Sequence, residues 1–102
     1  MATGRIETYV HSDSTTENKG GAIIKVITDS DFGAQTDVFK DFARAAAKFA
    51  YATFAHTRTF HAGNSMWSHI ISQFPQIEQH RLEVEQALKE HVRVTDITIL
   101  TL

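Results

Sequence analysis

Apolar and polar residues alternate from Arg5 to His11, with Ile6, Thr8 and Val10 on one face and Tyr9 on the other, and this alternation predicts a β-strand. Ser12 to Asn18 is polar throughout and closes on Lys19-Gly20-Gly21, as a long hairpin loop does. Ala22 to Thr28 is β-branched and apolar, a more buried strand. The loop before it is too short for a crossover helix, so the two strands are expected to pair antiparallel. Asp29-Ser30-Asp31-Phe32-Gly33 reads as a turn, and Thr36 or Asp37 stands where a helix N-cap belongs.

The helix that follows is well marked. Phe39, Phe42, Ala43, Ala46, Phe49, Ala50 and Phe54 recur at three- and four-residue spacing, while Lys40, Asp41, Arg44 and Lys48 take the other side. Small alanines between large phenylalanines predict close packing of helix on sheet. Thr57 to Asn64 reads as a loop, and Ser65 as the cap of a short helix carrying Trp67, Ile70, Ile71 and Phe74. Pro75 suits the first turn of a further helix, where its missing N–H costs nothing. Ile77, Arg81, Val84, Leu88 and His91 line one stripe of that helix, which is expected to end near His91, and Val92 to Leu102 closes as a β-branched strand. The expected fold class is α+β: a small antiparallel three-stranded sheet covered on one side by helices, in the order β-β-α-α-α-β.

Composition narrows the function more than the fold. At 102 residues, 42% apolar and 22% charged, the chain has the size of one domain, able to bury about 65% of its unfolded surface without a metal or disulfide. No repeat, low-complexity stretch or linker divides it. The absence of cysteine removes disulfide scaffolds, zinc ribbons, iron–sulfur clusters and thiol nucleophiles, and is compatible with a reducing cytosol. Ten basic residues against 12 acidic ones give a net charge of −2, so no sequence-wide field draws the chain to phosphates and nucleic acid is not an expected partner. Met1 to Arg5 passes into a polar strand without a signal-like apolar stretch, and no apolar run approaches the roughly 18 residues that span a membrane.

Catalytic constellations fail on context. Asp31-Phe32-Gly33 spells the Mg²⁺-binding tripeptide of protein kinases, but no glycine-rich loop or His-Arg-Asp motif accompanies it. Asp29 and Asp31 begin no complete cation loop. His56, His61 and His69 match no metal-ligand spacing, and no nucleophile elbow, phosphate-cradling loop or registered carboxylate pair is present. No catalytic residue, metal or cofactor is therefore assigned, which favours a binding protein. Phe32, a large ring between an aspartate and a glycine at the tip of a turn, has two readings: a staple folded onto the next helix, or an exposed wedge aimed at a partner.

The stretch Lys25-Val26-Ile27-Thr28-Asp29-Ser30-Asp31-Phe32-Gly33-Ala34-Gln35-Thr36-Asp37-Val38-Phe39-Lys40-Asp41-Phe42-Ala43 resembles the signature of elongation factor Ts, a strand running into Thr-Asp-Phe-Val-Ala-Lys and then a helix with a Phe-x-x-Phe/Ala pattern. Asp31, Phe32, Ala34, Phe39, Phe42 and Ala43 match in register. Ser30 replaces the threonine, Gly33 the valine and Gln35 the lysine. Gly4 to Thr28 resembles the preceding hairpin, and Arg81 to Leu102 the long helix and returning strand that complete one core subdomain, so the likeness covers nearly the whole of residues 1–102. The family's hydrophobic-Gly-Glu-Asn turn reads Leu88-Lys89-Glu90-His91 here. The family's amino-terminal three-helix module, second core subdomain and coiled-coil insertion have no counterpart.

The resemblance implies a cytoplasmic translation factor without covalent catalysis. Its partner would be elongation factor Tu, met by Ser30, Asp31, Phe32 and Gly33 together with Leu88 and Lys89, and its effect would be exchange of GDP for GTP. In that scheme Phe32 wedges near the nucleotide site, while Asp31 orients the turn and helps disturb the Mg²⁺. A single core subdomain implies a homodimer through the exposed sheet face or edge. Two other readings stay open: a module that holds elongation factor Tu without exchanging nucleotide, of the kind a virus or other compact genome could encode, and a structural homo-oligomer whose resemblance is ancestral only.

Overall fold

The computed structural model describes residues 3–54, 60–62 and 74–101. Strands β1 (Thr3–His11) and β2 (Gly20–Thr28) form an antiparallel hairpin, registered from Thr3 opposite Thr28 to His11 opposite Gly20. A single-turn helix α1 (Asp31–Ala34) and a long helix α2 (Asp37–Phe54) follow. Then come a three-residue strand β3 (Phe60–Ala62), helix α3 (Pro75–Leu88) and strand β4 (Arg93–Thr101). The sheet is antiparallel with spatial order β1-β2-β4-β3. The α+β class and the three long strands agree with the sequence reading. The stretch expected to be a loop contributes β3, a short fourth strand at the β4 edge. The expected Ser65 helix with Trp67, Ile70 and Ile71, the side chains of His56, His61 and His69, and the core role of Phe54 lie outside the described residues.

The hairpin loop is organised by its own side chains. Asp13 Oδ1 accepts from the amides of Thr15 (2.9 Å) and Thr16 (2.7 Å), while Asp13 Oδ2 pairs with Lys19 Nζ at 2.9 Å. These contacts hold the Asp13 carboxyl well below the usual range, with Lys19 the largest cause. Asn18 takes a positive φ, which its side chain tolerates, to close the loop.

Helix α2 starts where expected, with Thr36 Oγ1 accepting from the Phe39 amide at 3.3 Å. Its buried stripe is Phe39, Phe42, Ala43, Ala46, Ala47, Ala50 and Tyr51, and it packs across β1 and β2. Phe49 is only partly buried against this core and meets Phe74 edge-on at 5.2 Å. Helix α3 carries Pro75 at its first turn and buries Ile77 and Val84. Arg81 on the same stripe acts as a tether. Its guanidinium pairs with Glu78 and with Glu85 (2.9 Å) and donates to the Val92 carbonyl at 3.0 Å, while Glu85 accepts from the Val92 amide at 2.8 Å.

The helix stops at Leu88, short of His91, because Lys89 turns into the left-handed region (φ 57°) and donates its amide back to Glu85. In β4, Val94, Ile97 and Ile99 all face the core although Val94 and Ile97 differ in parity, because a bulge opposite Lys25 and Val26 absorbs one residue.

The helices cover one face of the sheet. On the other face Ile6, Val10, Ile23 and Leu100 are 48 to 59% exposed, and a depression of about 390 Å³ lies over Gly21 between Val10, Ile23 and Leu100. The apolar set of β1 thus points away from the helices, while Arg5, Glu7, Tyr9 and His11 line the covered side.

Candidate functional site

Strand β2 delivers the chain to one end of the sheet at Thr28, where two polar residues turn it into α1. Ser30 is extended (φ −142°, ψ 154°), and its Oγ accepts from the Gly33 amide at 3.0 Å. This is the N-cap geometry that satisfies an orphan donor at the start of a helix. One turn of helix then divides its residues: Gly33 and Ala34 face inward, while Asp31 and Phe32 face solvent. Phe32 is 82% exposed, so its ring is not a staple on the following helix. Gln35 ends the turn, and Thr36 Oγ1 donates to the Gly33 carbonyl at 2.8 Å, locking α1 onto α2.

The second segment reaches the same place from the far end of the chain. Glu90 projects its carboxylate into the β2–α1 turn, where Oε1 accepts from Thr28 Oγ1 (3.0 Å) and from the amides of Asp29 (3.2 Å) and Ser30 (3.0 Å). Its Oε2 accepts from Ser30 Oγ at 2.7 Å. The turn answers in kind: Asp29 Oδ2 accepts from the His91 amide at 2.8 Å and lies 3.1 Å from His91 Nδ1. Both carboxyls are held below the usual carboxylate range, Glu90 chiefly by the Ser30 hydroxyl and Asp29 chiefly by the His91 amide. A polar recess of about 170 Å³ lined by Thr28, Asp29, His91 and Arg93 sits beside this clasp.

Of the six residues singled out from the sequence, Ser30, Asp31, Phe32 and Gly33 form one turn, and Leu88 and Lys89 lie at the end of α3, just before the Glu90 and His91 that bond to that turn. They do not all present side chains outward. Asp31, Phe32 and Lys89 are exposed, Ser30 and Gly33 are occupied in holding the turn, and Leu88 is half-buried against the core. Asp29, Glu90 and His91, none of them among the expected partner-binding residues, knit the two segments together. Glu90 carried a signal, as the glutamate of the Leu88-Lys89-Glu90-His91 stretch. Among the described residues no three His, Asp or Glu side chains group so as to hold a metal ion, and no helix is long and apolar enough to cross a membrane.

The arrangement offers a rigidly framed, solvent-facing aromatic ring next to a carboxylate. Chemically, a large exposed ring can enter an apolar pocket and gains most when a partner desolvates it. Compared with family models, with curated proteins and with solved structures, the chain matches none.

Proposed function

We propose that this chain binds elongation factor Tu through the Asp31-Phe32 turn and promotes release of its GDP, acting as an elongation factor Ts-like core subdomain in the cytoplasm. The observation that carries the reading is the 82% exposure of Phe32 on a turn held from both sides. The in-register match of Asp31, Phe32, Ala34, Phe39, Phe42 and Ala43 supports it from the sequence. No bond is made or broken by this chain. Exchange is a linkage effect, in which factor and nucleotide weaken each other's hold on the GTPase.

Magnitudes limit what one ring accomplishes. Accelerating nucleotide release about ten-thousandfold requires lowering its barrier by roughly 5.5 kcal/mol, whereas burying a phenylalanine supplies only about 1.5 to 3 kcal/mol. The remainder has to come from a wider contact, and a second copy is one source of it. Ile6, Val10, Ile23 and Leu100 on the uncovered sheet face favour a homodimer that buries that face. A monomer is accordingly expected to bind more weakly than a full exchange factor and to exchange slowly.

Release of fluorescent GDP from elongation factor Tu tests the reading. The native chain is expected to speed release and Phe32→Ala to abolish the effect. Equal rates for the two would remove the wedge. Binding without faster release would reduce the chain to a module that holds the GTPase.

A further inference from the structure

Phe32 touches little of its own protein, so the direction of its ring is set by the backbone of residues 29 to 34. That backbone is in turn fixed by one side chain from the far end of the sequence. Glu90 accepts from Thr28 Oγ1 and from two successive amides, those of Asp29 and Ser30, through Oε1. Through Oε2 it orients the Ser30 hydroxyl, which caps the Gly33 amide. The frame is closed tightly enough to dictate a second residue, since a β-carbon on Gly33 would stand 2.5 Å from Glu90 Oε1. Gly33 has no positive φ, so its role is to leave that space for the carboxylate. The left-handed Lys89 is what swings the chain at the end of α3 so that Glu90 can enter.

We infer that Glu90 is the positioning residue of the Phe32 turn, with Gly33 as the residue that admits it, so that the 88–91 segment serves the partner site from behind rather than by contact. This rests on the reading that Phe32 meets a partner, but the positioning itself is testable without one.

Amide hydrogen exchange of the full chain provides the partner-free readout. In Glu90→Ala, the amides of Asp29, Ser30 and Gly33 are expected to exchange at least about tenfold faster. Those of Val26 and Ile97 in the central strands should keep their native rates. Glu90→Gln restores most of the protection, because its amide oxygen can take the Oε1 donors while its NH₂ group turns to Ser30 Oγ. Gly33→Ala should expose the same three amides in the native background and add nothing to Glu90→Ala, because the obstructed carboxylate is already gone. Titrated against elongation factor Tu, Glu90→Ala should bind about tenfold more weakly and Glu90→Gln close to native.

Native exchange rates at Ser30 and Gly33 in Glu90→Ala, or acceleration there only in step with Val26 and Ile97, would overturn the positioning role. A native chain that does not bind elongation factor Tu would overturn the partner reading, and the exchange pattern would still decide the role of Glu90.

Discussion

Phe32 and Phe39 belong to one short stretch of chain, yet the first is 82% exposed and the second fully buried. Their truncations should therefore separate binding from stability. Phe39→Ala removes a ring from the centre of the core and should cost about 3 to 5 kcal/mol, whereas Phe32→Ala should stay within about 0.5 kcal/mol of native, both read from urea unfolding. The Asp29 and Glu90 carboxyls make a pH prediction. Each has a folded-state pKa below its ordinary value, so each favours the folded state at neutral pH and gives up that contribution as pH falls through the folded-state value. The groups facing them are His91 and Arg93 for Asp29, and the neutral Thr28 and Ser30 for Glu90. Stability should decline below about pH 5, and Glu90→Gln should flatten that decline in urea midpoints measured from pH 7 downward. At this scale Phe32 was legible as an anomaly, an aromatic between aspartate and glycine in a turn, but its exposure was not, because a ring folded onto the next helix fits the same residues. Glu90 was not legible as a frame. Its partners lie 60 to 62 residues away in sequence and are brought to it only by the pairing of β4 with β2.

Helix α2 shows what local periodicity can and cannot say. Its Phe39, Phe42, Ala43, Ala46 and Ala50 stripe was readable from spacing, but Ala47 and Tyr51 join the core as well, Tyr51 by packing on Tyr9 and His11 of β1, a contact that helix periodicity alone does not reveal. Ala46 is 1% exposed, so Ala46→Leu should overpack the interface between helix and sheet and cost about 1 to 3 kcal/mol by thermal unfolding. The end of α3 differs from its expected place because of backbone geometry that side-chain spacing does not encode. The three- and four-residue spacing of the stripe continues to His91, but the left-handed Lys89 ends the helix first, and nothing in a lysine announces that conformation. Lys89→Gly should relieve it and stabilise the fold by up to about 1 kcal/mol. In β4 the skipped parity between Val94 and Ile97 was present in the sequence, but only the pairing with β2 identifies it as a bulge. The brevity of β3 left it without a pattern to read.

Among the described residues, the Phe32 turn and the uncovered sheet face are two apolar surfaces left bare. The Phe32 turn leaves the sheet at the Thr28 end of β2, while the depression over Gly21 lies toward its Gly20 end, on the face away from the helices. Burial of that face by a second copy predicts a species of twice 11.4 kDa in sedimentation at micromolar concentration, converted to monomer by Ile23→Lys with the fold unchanged. A native chain that sediments only as a monomer would leave the uncovered face without this role. The α+β architecture could be anticipated from strand and helix periods alone, whereas the uncovered face could not, since alternation in β1 separates Ile6 and Val10 from Tyr9 without saying which side the helices take. The central claim concerns the other surface, and calorimetric titration of elongation factor Tu with the native chain and with Phe32→Ala tests it most directly. Saturable binding by the native chain, weakened about ten- to a hundredfold in Phe32→Ala, is the predicted result. Equal affinities, or no binding by the native chain, would contradict it.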